Sequence, residues 1–96
     1  MYISHAFSSN PVGNRDAVAR IARGLVYAGH LPLAPQLLFP QFLDETTERD
    51  LALQLCLRLV ALADEVRVYG DVTAGMRLEI DEAHGLGIPV VPGQLP

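Results

Sequence analysis

Residues 65–91 read EVRVYGDVTAGMRLEIDEAHGLGIPVV. The β-branched and aromatic residues of 65–69 are typical of a strand, and a glycine-containing loop follows them. The next residues predict a helix over 74–84, and glycines and a proline then lead into a last strand over 88–91. This strand–loop–helix–strand order is typical of a parallel sheet, because parallel strands need a crossover connection.

The first third of the chain predicts the same order of elements. Tyr2-Ile3-Ser4 indicates a strand, a polar loop follows over 5–14, and apolar residues recur at helical spacing from Arg15 until Gly29. Residues 31–35, LPLAP, predict a second strand, and its two prolines suit an edge position. We therefore expect one α/β domain over residues 1–96, with a parallel sheet of about four strands and helices on both faces.

The middle of the chain predicts a loop followed by an unusually apolar helix. The loop covers 36–47, and Thr47 with Asp50 is a plausible capping pair for the helix. From Leu51 to Ala63 only Gln54 and Arg58 are polar. A helix that is apolar nearly all round needs cover on more than one side, so we expect a homo-oligomer that packs through this helix.

Composition limits the partners of the protein. The 96 residues are 50% hydrophobic with a mean hydropathy of +0.25, and the net charge is −4 without a basic cluster. These values disfavour disorder and binding to polymeric nucleic acid. No apolar run is long enough to span a membrane, and the first residues lack the features of a signal peptide, so we expect a cytoplasmic protein. The single cysteine, Cys56, has no partner for an internal disulfide and is expected to be a small buried apolar group.

Two loops form the candidate site, since ligands of parallel sheets bind beyond the carboxyl ends of the strands. They are 4–14 and 70–75. The second leads directly into a helix, so backbone N–H groups and the Thr73 hydroxyl are suited to an anion or a sugar. Neither a dinucleotide-binding fingerprint nor an NTPase phosphate loop is present. Glu79 lies about one turn into that helix, where the dipole favours its ionised form, and it is either a nucleophile or an ordinary solvated glutamate.

Five short motifs resemble the nucleoside 2-deoxyribosyltransferase-like superfamily. They are VYGD at 68–71, T-x-G-x-x-x-E-I-x-x-A at 73–83, GIPV at 87–90, YIS at 2–4 and GHLP at 29–32. The last two in particular are similar to those of short members without an assigned function. The resemblance covers nearly the whole chain, and its most specific part is the spacing from Thr73 to Glu79.

The resemblance implies a doubly wound, flavodoxin-like sheet and a retaining glycosyl reaction. In the superfamily the glutamate that matches Glu79 attacks C1′ of a deoxyribose, displaces the nucleobase and forms a glycosyl ester, which water or a second base then releases. The implied substrate is a nucleoside or its monophosphate, and no cofactor or metal is implied. The implied substrate-binding residues are Tyr2, Ser4, His5, Asp71, Thr73, Gly75 and Met76.

Two positions depart from the pattern of the superfamily. Cys56 stands where the transferases carry an aspartate that assists the departing base, and His5 stands where relatives have glycine after Ile-Ser. Three functions therefore stay open: an N-glycosyl-processing enzyme, a nucleotide-binding module without chemistry, and an oligomeric interaction scaffold. His30 and His84 are expected to be structural, and the spacing of the histidines and Cys56 predicts no metal site.

Overall fold

The computed structural model describes residues 1–94, which contain a parallel sheet and four α-helices. In chain order the elements are β1 (Tyr2–His5), α1 (Pro11–Tyr27), α2 (Pro35–Leu38), α3 (Arg49–Val60), β2 (Val66–Tyr69), α4 (Ala74–Gly85) and β3 (Val90–Pro92). A short 3-10 turn over Phe39–Gln41 follows α2. The α/β class predicted from the sequence is confirmed.

The sheet has the order β1-β2-β3, and both pairings are parallel. The register places Val66 opposite Tyr2 on one side and opposite Val90 on the other. Because the three strands are parallel, the loops that follow β1 and β2 leave from the same edge of the sheet. The carboxyl edge that the sequence analysis singled out is therefore shared by both loops.

The expected fourth strand over 31–35 is wrong. Only Leu33 pairs with β1, through a single parallel bridge to Tyr2 in which Leu33 N–H donates to Met1 O and Leu33 O accepts from Ile3 N–H. Pro32 and Pro35 have no N–H to extend the ladder, and Pro35 already begins α2. A doubly wound sheet needs a full strand on this side of β1, so the three described strands do not form one.

Helix α1 starts earlier than predicted. Helix α1 begins at Pro11 instead of Arg15, because Asn10 caps it with a side-chain oxygen that accepts from Gly13 N–H and proline suits the first helical position. The predicted loop over 5–14 is correspondingly shorter. At its other end α1 closes as expected, with Gly29 in the left-handed region at φ +90°.

The segment before α3 is more ordered than the predicted loop over 36–47, since it contains α2 and the 3-10 turn. Thr47 does not cap α3, whose first flanking residue is Glu48 and which has no side-chain cap. Instead Oδ1 of Asp44 accepts hydrogen bonds from the backbone N–H groups of Thr46 and Thr47, which uses Thr47 in a local turn. The proposed Thr47–Asp50 capping pair is therefore wrong.

Apolar clusters lie on both faces of the sheet, because successive side chains of a strand point to opposite sides. Ile3 belongs to the cluster on the α1 face, which contains Met1, Ile3, Val18, Ile21, Leu25 and Tyr69. Tyr2 belongs to the cluster on the α3–α4 face, which contains Tyr2, Val60, Ala63, Val66 and Ala83. Within α3 only Val60 is fully buried. No helix within residues 1–94 has the length and apolar composition needed to span a membrane.

Candidate functional site

The buried polar cluster of this protein consists of Tyr2, Ser4 and Glu79 together with the half-buried Cys56, and it lies on the α3–α4 face of the sheet. Tyr2 and Ser4 are two positions apart on β1, so both side chains point to this face. The Tyr2 hydroxyl donates to Oε2 of Glu79, and the Ser4 hydroxyl donates to Oε1 over 2.9 Å. Glu79 is 8% exposed, whereas Tyr2 and Ser4 are fully buried. Each carboxyl oxygen of Glu79 therefore has a hydroxyl donor inside the protein.

Burial raises the pKa of Glu79 above its usual value, and the hydrogen bonds from Tyr2 and Ser4 oppose this rise. The helix dipole was expected to have the opposite effect and to favour the ionised form. Glu79 lies in the second turn of α4, where the dipole is weaker, and removal from water outweighs it. Perturbed pKa values cluster at functional sites, so a buried carboxyl group with a shifted pKa marks a candidate site.

The other two titratable members of the cluster are held in their neutral forms. Burial, followed by the nearby charge of Glu79, raises the pKa of Tyr2 well above its usual value. Burial and the charge of Glu79 also raise the pKa of the Cys56 thiol to about 11, and a hydrogen bond with Tyr2 opposes this. A hydroxyl and a thiol that both remain protonated leave Glu79 as the only group in the cluster suited to carry a charge near neutral pH.

The structure brings together three of the residues predicted from the sequence, Tyr2, Ser4 and Glu79. None of the remaining predicted residues on α4 and its preceding loop makes a hydrogen bond to Glu79. Asp71 and Gly75 are exposed, and Met76 is buried one turn before Glu79. Thr73 Oγ1 caps α4 by accepting from Met76 N–H over 3.2 Å, so part of its hydrogen-bonding capacity serves the helix.

Gln36 is a candidate residue that the sequence analysis missed. Its Nε2 donates to the backbone oxygens of His5 (2.6 Å) and Ala6 (3.0 Å), which fixes the loop after β1. These two bonds also fix the orientation of the amide, and they leave Oε1 buried without a partner. An unpaired buried acceptor at the carboxyl edge is a feature expected of a ligand site. The sequence offered one indication of Gln36: it follows the apolar segment around Leu33, and this segment ends at the same edge of the sheet as β1 and β2.

His5 ends β1 and lies on the α1 side of the sheet, away from Glu79. It is half-buried, and its Nδ1 lies 2.8 Å from the backbone oxygen of Ala6. The loop that follows His5 also contacts the start of α3, where Arg49 donates to the Ser8 hydroxyl over 3.3 Å. These contacts hold the loop after β1 against α2 and α3.

The buried polar cluster is closed in this structure. Two surface grooves lie elsewhere: one of about 410 Å³ lies between α1 and β3, and one of about 520 Å³ lies at the start of α3. Neither groove is lined by any of the four residues of the cluster. Because Glu79 is 8% exposed and Tyr2 and Ser4 are fully buried, a ligand of nucleoside size reaches Glu79 only if a neighbouring side chain or loop moves.

No group of three or more histidine, cysteine or carboxylate side chains in residues 1–94 is arranged to hold a metal ion. His5, His30 and His84 each lie in a different part of the chain: at the end of β1, after α1 and near the end of α4. The described site contains the carboxyl group of Glu79, the hydroxyl groups of Tyr2 and Ser4, and the thiol of Cys56.

Comparison with known proteins gives one match. The profile of a family described as a domain of unknown function, DUF7768, matches residues 1–92. No curated protein and no solved structure matches the chain. The matched region contains all three strands, all four helices and the buried polar cluster. The chain belongs to the DUF7768 family.

Proposed function

We propose that this protein cleaves or exchanges the N-glycosidic bond of a deoxynucleoside or its monophosphate, with Glu79 as the nucleophile. The observation that carries the proposal is the hydrogen bonding of both Glu79 oxygens by Tyr2 and Ser4 within a buried cluster. Burial of a carboxyl group costs free energy that an exposed helical glutamate does not incur, which favours a functional reason for the buried position of Glu79. The motifs shared with the deoxyribosyltransferase-like superfamily support the same chemistry.

The proposed reaction has two steps. A carboxylate oxygen of Glu79 forms a bond to C1′ of the sugar as the bond from C1′ to the base nitrogen breaks. The electron pair goes to the base, which takes a proton from water, and the sugar stays attached to Glu79 as an ester. Water or a second base then attacks C1′ and releases the carboxylate, so the configuration at C1′ is retained.

The substrate is proposed to enter at the carboxyl edge of the sheet, between the loop after β1 and the loop 70–75. Gln36 supports this location, because its unpaired Oε1 can accept a hydrogen bond from an amino or imino group of a base. Thr73, Asp71 and His5 are proposed to contact the sugar or its phosphate. The single bridge at Leu33 lies where a doubly wound, flavodoxin-like sheet has a further strand, and this supports a shortened version of that arrangement.

The decisive experiment follows release of free base from a panel of deoxynucleosides and their monophosphates. Glu79→Gln keeps the size of the side chain and removes the nucleophile, so release should fall by about 1000-fold or more. Asp81→Asn, on the exposed side of α4, is the matched control and should leave release unchanged. Base release that persists in folded Glu79→Gln would contradict the proposed role of Glu79.

A binding module without chemistry is the second candidate, and the closed cluster with Cys56 in place of an acid favours it. A nucleotide that binds only the native state should raise the melting temperature by mass action. A rise in melting temperature without base release would support this function over the enzyme. If no nucleotide changes either stability or base release, both candidates fail and the scaffold function remains.

We also propose that a second copy of the chain covers α3. Most apolar side chains of this helix are only half-buried, Leu51 is 45% exposed, and Leu62 just after the helix is 78% exposed. Size-exclusion chromatography with light scattering should give an oligomer, and Leu62→Glu should weaken it, whereas Leu31→Glu on the α1 side should not. A strict monomer at micromolar concentration would contradict this assembly.

A further inference from the structure

Ser4 is buried beneath the site, where it contacts Glu79 and is not exposed to a ligand. It lies on β1, it is fully buried, and its hydroxyl donates to Oε1 of Glu79 over 2.9 Å. A serine hydroxyl has one hydrogen to donate, and this hydrogen is used by the carboxylate. The side chain therefore acts on Glu79 itself.

Among residues 1–94, the groups that face Glu79 contain no positive charge. From β1 they are Tyr2 and Ser4, and from α3 the facing group is Cys56. On α4 itself, Arg77 is exposed. The ion pairs in residues 1–94 join Met1 to Asp64 and Arg67 to Glu65, so neither involves Glu79.

A buried carboxylate without a cation depends on hydrogen-bond donors for its ionisation. Glu79 has two such donors, and they are not equivalent. The Cys56 thiol also lies close to the Tyr2 hydroxyl, so Tyr2 has a second polar neighbour besides Glu79. Ser4 has Glu79 as its only side-chain partner among the described residues.

We propose that Ser4 is a positioning residue that holds Oε1 of Glu79 and keeps the carboxylate ionised at neutral pH. The role rests on the proposed function of Glu79 as a nucleophile, since a carboxylate must be ionised to attack C1′. Ser4 thus sets the pH range in which the site is active, without contact between Ser4 and the substrate.

The test is a pH titration of the Glu79 side-chain carboxyl by ¹³C NMR, with its signal assigned by its loss in Glu79→Gln. Loss of a donor to the ionised form raises a pKa, so Ser4→Ala should raise that of Glu79 by about one unit, a tenfold change in proton affinity. Ser4→Cys, which is close to serine in size and a weak donor, should give a similar rise, and it serves if Ser4→Ala does not fold. Ser8→Ala, at an exposed serine, is the matched control and should give none.

Activity gives a second readout. In Ser4→Ala the acid limb of the base-release profile should move to higher pH by the same amount, whereas KM at the pH optimum should not change. A Glu79 pKa that stays within about 0.3 unit of wild type in both folded Ser4 variants would overturn the inference, whatever the activity. Absence of base release from the wild type, together with the expected pKa rise, would instead count against the proposed function and leave the control of Glu79 ionisation by Ser4 intact.

Discussion

The hydroxyl of Tyr2, on the first strand, donates to Oε2 of Glu79, which lies 77 residues later on the last helix. The contact joins the two ends of the described fold on one face of the sheet. It also pairs two groups that both lose water on folding: Tyr2 is fully buried and Glu79 is 8% exposed. The stability of this protein should therefore depend on the charge state of Glu79 and on the hydroxyl groups around it.

Tyr2→Phe should lower the free energy of unfolding at neutral pH by about 1–3 kcal/mol, because a buried carboxylate loses a donor while the ring still fills its space. Urea unfolding monitored by circular dichroism measures this change. Tyr27→Phe is the matched control, since Tyr27 is 77% exposed, and it should change stability by less than about 0.5 kcal/mol. Equal effects of the two substitutions would show that the Tyr2 hydroxyl has no special role.

Glu79→Gln should make stability less dependent on pH between mildly acidic and neutral solution. The pKa of Glu79 is raised in the folded state, so its contribution to stability is fully present below the unfolded pKa and is lost as pH rises through the folded pKa. Glutamine carries no charge at any pH. The variant should therefore melt at a higher temperature than wild type at pH 7, and the difference should shrink towards a pH of about 4.

Differential scanning calorimetry across this pH range measures the effect of Glu79→Gln. Asp81→Asn, on the exposed side of the same helix, serves as the comparison. A difference between Glu79→Gln and wild type that grows as the pH falls would have the wrong sign for a carboxyl group with a raised pKa, and would contradict the prediction.

The thiol of Cys56 should react slowly with thiol reagents. Its pKa is raised to about 11 by burial and by the charge of Glu79, so only a very small fraction is thiolate at pH 8. Reaction with a disulfide reagent should be roughly 100-fold slower than that of free cysteine, and should accelerate as the pH rises towards the pKa of the thiol. Reaction as fast as that of the free amino acid would mean that Cys56 is neither partly shielded from water nor close to the charge of Glu79.

Gly93→Ala should destabilise the protein by about 1–3 kcal/mol. A Cβ atom at this position would overlap the ring of Tyr69, which is 3% exposed and packs in the cluster on the α1 face. Gly85→Ala is the control, because a Cβ there meets no atom within 4 Å and alanine favours the helix that Gly85 ends. Thermal melts of the two variants should move in opposite directions, and similar melting temperatures would argue against the Tyr69–Gly93 contact.

Prediction from the sequence succeeded where one local signal dominates. Helix α4 was predicted to within one residue of its end, since the Thr73 cap and the loop before it mark its start. The predicted strand over 31–35 was wrong. Its apolar residues alternate as in a strand, but its two prolines have no backbone N–H, and this limits the number of hydrogen bonds that can form to β1. The Thr47 cap failed for a related reason: Asp44, three residues earlier, competes for the Thr47 N–H.

For the candidate site, local motifs predicted some of the residues but not the contacts between them. The motif from Thr73 to Glu79 pointed to Glu79, and the YIS motif pointed to Tyr2 and Ser4, but the sequence does not say that these three side chains touch. Gln36 gave no periodic or motif signal, because its importance comes from backbone oxygens of a loop 30 residues away. Hydrogen bonds of this range depend on how the chain packs.

The sequence by itself determined the α/β class and the parallel pairing of the strands, since these follow from the alternation of short strands with helices. Only the tertiary structure decided that the carboxyl group of Glu79 is buried and hydrogen-bonded to Tyr2 and Ser4. The helix dipole is a local effect that the sequence position of Glu79 suggests. Desolvation depends on every element packed against the residue, and for Glu79 it is the larger effect.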